Sequence, residues 1–411
     1  MKIVREILTE IEGVSQPQKK FLVTLFTTIL LMRGKVNFRN MSRYSNLCEK
    51  TYSRKYQEGF DFPEFNRILI EKGGMPEDEV IVATDSSYLK KSGKKTYGLD
   101  TFYDSIHNQP AKGLEVSNIA IINLSQNRAY TLSSRQTPPL TELQNDPTIK
   151  ARKKGSISDE AKGTRMDFYL KHLQEDKKYI PENVNYFVGD GHYANQKFVD
   201  GVRSCNLHFV GKLRSDAQLK YLYEGKQKGK GAPRKYGENV QKDMGRLDYV
   251  GQVDDNIYLC TAVVKSISLK RNIRLVLVIN MKHPESPRYV FLFSTDTELE
   301  AEKVYHYYKA RFQIEFIFRD TKQFTGLSDC QARSKERIHF HINASFSALN
   351  VAKIEAQKFG SSESFSMASL KAVYFNEHLL SRFISMLDLD PTLIKMNPHF
   401  EELMTYGSIA A

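Results

Sequence analysis

Tyr308-Lys-Ala-Arg311-Phe-Gln-Ile-Glu315-Phe-Ile-Phe-Arg319-Asp-Thr-Lys322 is the stretch whose reading decides the rest of the chain. It holds no Gly or Pro and charged residues flank it, so it predicts a helix from about residue 300 to about 323. At about 3.6 residues per turn, Tyr308, Arg311, Glu315, Arg319 and Lys322 fall within about a third of the circumference. Ile314, Ile317 and Phe318 form an apolar stripe beside them. Such a helix packs on one side and presents a carboxylate among cations and a phenol on the other. Taken alone, that polar face also fits a solvated, salt-bridged helix surface.

Two upstream segments give the face a context. Glu79-Val-Ile-Val-Ala-Thr-Asp85-Ser-Ser reads as a buried strand running into an acid, with a basic loop at 90–95 just beyond. Residues 114–123 and 129–132 read as two further strands, and 164–175 as a helix. Asn185-Tyr-Phe-Val-Gly-Asp190-Gly-His-Tyr193 is a short apolar strand ending in an acid, followed by a helix at 195–202 and a strand at 207–211. In open α/β sheets chemistry gathers at strand ends, which makes Asp190 a candidate, although Asp-Gly after a strand is also ordinary turn chemistry. Asp85 is preferred to Asp100 and Asp104 on this strand reading.

The spacing Tyr308-x2-Arg311-x3-Glu315-x6-Lys322 resembles the Tyr-Arg-Glu-Lys signature of the cut-and-paste transposases of bacterial insertion sequences, which belong to the DDE class. The resemblance implies a ribonuclease H-like α/β catalytic core, interrupted by a β-rich insertion and flanked by helical N- and C-terminal domains. It implies Asp85, Asp190 and Glu315 as the catalytic acids and the ligands of two Mg2+ ions, with Mn2+ able to substitute. Arg311 and Lys322 are then assigned to phosphates beside the scissile bond and Tyr308 to the same strand. Arg319 shares the face but is not in the signature, so it stands as a phosphate contact or a salt-bridge partner of Glu315. The chemistry suits these residue types: two divalent ions about 4 Å apart stabilise both the attacking and leaving oxygens of an in-line displacement, and Mg2+ needs only a few hard oxygen ligands. Arg grips a phosphate with two donors, whereas Lys acts as a point charge.

The other parts fall into an order around these acids. Residues 1–76 read as helical, with a buried helix at 21–32 and two short helices around a polar turn at 37–56. Lys50, Arg54 and Lys55 on the second suit a helix-turn-helix reader of DNA, and the same pattern fits a plain helical cap. The core is expected at 77–212 and resumes at 294–335 with the Glu helix. Between them, 213–293 reads as the β-rich insertion, with a Gly- and Lys-rich loop at 224–235 and strands at 249–253, 257–264, 274–281 and 289–293. Residues 336–411 read as a helical region that pairs subunits or completes the core, with helices at 339–358 and 367–387 and a Met and Phe cluster at 365–367 read as core.

Composition bounds the function. The 411 residues carry a formal net charge of +12, which favours a polyanionic partner without naming it. Cys48, Cys205, Cys260 and Cys330 are scattered, with no paired spacing, so neither a zinc site nor a disulfide framework is indicated and a reducing, cytoplasmic compartment is expected. The apolar run at 21–32 is short of the roughly 20 residues a membrane span needs. His192, beside Asp190, reads as a solvent-facing turn residue, and His339 and His341 alternate without other ligands nearby.

The sequence therefore predicts a Mg2+-dependent DNA transposase acting as a homodimer on double-stranded element ends and target DNA, with no membrane partner. Members of the family are expected to pass through a DNA hairpin whose flipped base stacks on a tryptophan of the insertion. This chain has no Trp, which leaves Tyr249, Tyr258 or Tyr289 to offer that face. A transposase-derived DNA-binding protein without activity and a ribonuclease H-like nuclease without strand transfer are the alternatives.

Overall fold

The computed structural model describes residues 1–73, 79–104, 106–146, 151–152, 160–161, 163–227, 229, 231–357, 366–395 and 397–408. Of the expected features, residues 74–76 at the end of the helical region, Lys228 and Lys230 of the basic loop, Lys358 and Phe365 lie outside them.

Helices α1 (Lys2–Glu10), α2 (Gln16–Leu31), α3 (Phe38–Met41), α4 (Glu49–Lys55) and α5 (Phe62–Lys72) open the chain. Ser15 caps α2 by accepting from Gln18 N, with Pro17 in the first turn, where its missing N–H costs nothing. Phe21, Leu22, Leu25, Phe26 and Ile29 of α2 are buried. The expected helix at 21–32 is thus a core helix that begins earlier.

Four strands follow: β1 (Val80–Lys90), β2 (Asp100–Asp104), β3 (Gln109–Asn123) and β4 (Arg128–Gln136). After α6 (Leu140–Asn145) and a two-residue pair, β5 (Ala151–Arg152) with β6 (Glu160–Ala161), come α7 (Arg165–Asp176), β7 (Tyr186–Gly189), α8 (Gln196–Ser204) and β8 (His208–Lys212). The region expected as an insertion supplies β9 (Leu219–Leu222), β10 (Tyr236–Asn239), β11 (Asp248–Asp254), β12 (Ile257–Ser266), β13 (Arg271–Asn280) and β14 (Arg288–Ser294). Helices α9 (Ala301–Ala310), α10 (Gln313–Phe324), α11 (Lys335–Gln357), α12 (Met367–Met386), α13 (Pro391–Lys395) and α14 (Pro398–Met404) complete the chain.

Twelve strands share one mixed sheet in the order β10-β9-β12-β13-β14-β8-β7-β1-β3-β2, with β11 on β12 and β4 on β3. The β7–β1 and β7–β8 pairs are parallel and the others antiparallel. The architecture is α/β, a mixed sheet with helical regions at both ends of the chain. Strands β9 to β14 prolong the sheet that carries Asp85, because β14 pairs β8.

Strand β4 is an edge, and its free backbone groups need partners. Side chains buried under α5 and α11 supply them. Asn350 accepts from Thr131 N at 3.0 Å and donates to Thr131 O at 2.7 Å, Asn66 donates to Leu132 O at 3.2 Å, and Lys353 Nζ donates to Ala129 O at 2.7 Å. This places α11 along the sheet edge. From there Phe340 reaches Tyr56, Phe62 and Phe21, with ring centroids at 4.5, 5.0 and 6.2 Å. The N-terminal helices therefore share one continuous hydrophobic core with the sheet.

Candidate active site

Strand register brings the first two acids together. Val80 to Ala83 are buried and draw β1 into the sheet, where it pairs antiparallel with β3 along its whole length. On its other side it runs parallel to β7, with Val82 opposite Phe187 and Ala83 opposite Val188. Two residues beyond these stand Asp85, still within β1, and Asp190, just after the end of β7. The sequence pattern predicts a strand running into the acid; β1 continues past it to Lys90, so Asp85 lies in mid-strand. Alternation turns Asp85 and Ser87 to the face that α10 covers. Ser86, opposite Ser117, turns to the other face, where Ser117 Oγ meets His172 of α7. Asp190 caps the tight turn after β7 by accepting from His192 N at 2.9 Å, and the His192 side chain is exposed.

The third acid comes from a helix pair. The single helix expected over 300–323 is two, α9 and α10, joined at Arg311 and Phe312. No Gly or Pro makes the break. Phe312, Ile314 and Glu315 donate to carbonyls three residues back, at 3.2, 3.0 and 3.0 Å, so the backbone tightens for one turn. Glu315 then sits in the first turn of α10, where helix N–H groups favour a carboxylate, and Arg311 follows the last turn of α9, where carbonyls favour a cation.

Arg311 lies among the acids. Its Nη2 donates to Glu315 Oε1 at 3.0 Å, its Nη1 is 3.9 Å from Asp85 Oδ2, and its guanidinium is 5.8 Å from the Tyr308 ring centre. Burial opposes its charge, yet Asp85, Tyr308, Glu315 and Asp190 together hold its pKa above the ordinary Arg value. Asp85 is pushed up to about 7, chiefly by burial, with the charges of Asp190 and Glu315 adding to the rise. The Ser86 N–H, 2.8 Å away, and Arg311 pull the other way. Burial likewise raises the Tyr308 phenol.

Lys322, one face along α10, donates to Ser87 Oγ at 2.8 Å and to Tyr88 O at 3.0 Å, and burial lowers its pKa. It stands over the strand that carries Asp85. Sequence reasoning missed this anchorage, because nothing in Asp85-Ser-Ser-Tyr marks a lysine from 235 residues later. Asp85, Ser87, Glu315, Phe318, Arg319 and Lys322 line an open groove.

Arg319 has another partner within the groove, and the remaining expected residues fall elsewhere. Arg319 pairs with its neighbour Asp320 at 2.9 Å and lies 4.6 Å from the Phe316 ring centre, so it is not the partner of Glu315; Arg311 is. Asp100 accepts from Leu140 N and Arg165, and Asp104 from Ile106 N and His107, so both are committed locally. His339 and His341 lie on α11 rather than on a strand, and His341 bonds Gly326 O at 2.7 Å. On α4, Lys50 and Arg54 are exposed, while Lys55 pairs with Glu58 at 2.8 Å. Tyr258 and Tyr289 both neighbour Ile279 across strands, so they share a face. That face is opposite to Ile257 and its partner Asp254, which bonds Tyr305 of α9. The two tyrosines thus point away from the helix that leads into Glu315.

Residues 158–351 match the family model described as a transposase DDE domain. Over that stretch the chain is similar to a transposase DDE domain. The match spans Asp190, Tyr308, Arg311, Glu315 and Lys322 and begins after Asp85. No curated protein matches the chain. Among the described residues, no three His, Cys, Asp or Glu side chains stand as a ready-made metal cluster. The donor chemistry nevertheless suits a divalent cation: Asp85 and Glu315 share Arg311, Asp190 lies near enough for its charge to act on Asp85 and Arg311, and carboxylate oxygens are the hard ligands such an ion takes. Among the described residues no helix is long and apolar enough to cross a membrane.

Proposed function

We propose that this protein is a DNA transposase that cleaves the ends of its insertion sequence and joins the 3′ ends to target DNA, with a ribonuclease H-like core as its catalytic frame. The observation that supports the reading is the pairing of Arg311 with both Asp85 and Glu315, with Asp190 brought beside Asp85 by the parallel register of β1 and β7. Asp85, Asp190 and Glu315 would hold two Mg2+ ions, which supply Lewis acidity and a nucleophile at neutral pH. The chain's own groups do the rest. Arg311 would offer two parallel donors to a phosphate, Lys322 is held at the groove by Ser87 and Tyr88, and the Tyr308 ring lies beside Arg311.

The DNA path continues from that groove in this reading. Lys90 ends β1 and Lys91, Lys94 and Lys95 follow it, sharing a concave surface with Lys35 and Arg333, and Arg333 and Arg337 line a second hollow with Arg39 and with Glu49 and Ser53 of α4, the helix that carries the exposed Lys50 and Arg54. A duplex lying there meets cations from Lys322 to α4, which suits backbone binding. A homodimer is part of the proposal, since two element ends are processed together; the exposed Leu379, Phe383 and Met386 of α12 are the face assigned to the second copy.

The test is Mg2+-dependent cleavage of a duplex built from the DNA flanking the gene, resolved on a denaturing gel. A hairpin-sized product supports the full cut-and-paste route, and joined 3′ ends on added target DNA support strand transfer. Nicks or breaks without joining favour a nuclease. Tight end binding without any cleavage turns the assignment to a DNA-binding protein.

A further inference from the structure

Arg311 occupies the space where the acids would otherwise face only one another. Its side chain is 14% exposed, it reaches Asp85 and Glu315, and no other described cation pairs with either. The neighbouring cations are engaged elsewhere, Lys322 with Ser87 and Tyr88 and Arg319 with Asp320. Its Nε, a buried donor, has no hydrogen-bond partner. A buried guanidinium with an idle donor is costly, so an arrangement that keeps one there answers a larger cost, the repulsion of clustered carboxylates.

We propose that Arg311 is a resident counter-cation of the acid cluster, which a divalent metal ion displaces and a DNA phosphate then receives. The inference rests on the reading of Asp85, Asp190 and Glu315 as metal ligands. A guanidinium and a metal ion need the same carboxylate oxygens and repel each other across the short distance that separates them. In the DNA-free protein the two compete, and metal binding is weak. When a phosphate offers Arg311 another anion, its idle Nε and its Nη groups have a bidentate acceptor, and the carboxylates are freed. Metal and DNA therefore bind with positive coupling, each tightening the other by the same factor. The acids remain unloaded until DNA arrives, which guards against cleavage by a site assembled without its substrate.

The experiment is a Mn2+ titration of the full chain followed by electron paramagnetic resonance of the free ion, with and without the flanking-end duplex, after subtraction of Mn2+ taken by the duplex alone. Arg311→Gln should bind Mn2+ about tenfold more tightly than the wild type without DNA. The duplex should tighten wild-type binding about tenfold and leave the variant nearly unchanged. The wild-type pair of titrations needs no substitution, so a misfolded variant does not spare the idea. Measurable Mn2+ binding that is equal in wild type and Arg311→Gln, or unaltered by duplex in the wild type, overturns the counter-cation role and leaves the metal reading standing. No Mn2+ on any form, with or without duplex, removes both.

Discussion

Asp85→Asn should stabilise the metal-free protein, and do so more at higher pH. The fold pushes the Asp85 carboxyl from its ordinary value of 3.8 up to about 7, so the native state holds this proton more tightly than the unfolded chain. Wild-type stability therefore falls as pH rises from 3.8 through about 7, while Asn, uncharged throughout, is insensitive. At about 1.4 kcal/mol for each pH unit between the two values, the variant gains at most about 4 kcal/mol at pH 8. The side chain is 24% exposed, and that contact with solvent brings the figure towards about 2 kcal/mol. At pH 5 the gain should shrink to about 1.5 kcal/mol or less, and below pH 4 it should vanish. Urea unfolding of both proteins in EDTA across this range measures the gap. A gap that is the same at pH 5 and pH 8, or a variant less stable than wild type at pH 8, would refute the claim that burial and like charge strain this carboxylate.

Three more outcomes follow from named contacts. Lys322→Ala should lower the single-turnover cleavage rate about 100-fold while end binding in a gel-shift assay changes little, because one groove-facing cation is lost among many on the DNA path. Lys353, pushed down to about 8 by burial, should make wild-type stability rise with pH from about 8 to about 10.4, since there the unfolded chain binds the extra proton; the difference from Lys353→Met in urea unfolding isolates this rise. Gly326 has φ +79° and a Cβ there would lie 2.3 Å from Val36 Cβ, so Gly326→Ala should cost about 2 kcal/mol or more in the same assay.

The elements around the site were legible where local pattern decides them. The apolar run before Asp85, the Asn195 cap that opens α8 and the unbroken apolar stripe of α10 each announce a strand or helix without tertiary help. What escaped depends on partners distant in sequence. That Asp85 lies beside Asp190 follows from a parallel register between strands about 100 residues apart, which no local pattern encodes. The tightened turn at Arg311 contains no Gly or Pro, so no helix breaker in the residues marks it. Strands β9 and β10 are four residues each and flank a Gly- and Lys-rich loop whose composition hides them. Asn66, Asn350 and Lys353 look like surface residues until β4 is seen to be an edge in need of hydrogen bonds. Arg319 was grouped with Glu315 by helical phase, but the carboxylate next to it in sequence was closer.

The central claim is that Asp85, Asp190 and Glu315 act as one unit on a phosphodiester. It is tested most directly by pairing a gel-shift assay with Mg2+-dependent cleavage of the flanking-end duplex for Asp85→Asn, Asp190→Asn and Glu315→Gln. The account predicts end binding within a few-fold of wild type for all three and no detectable cleavage by any of them. Near-normal cleavage by any one variant would contradict it and remove that acid from the chemistry.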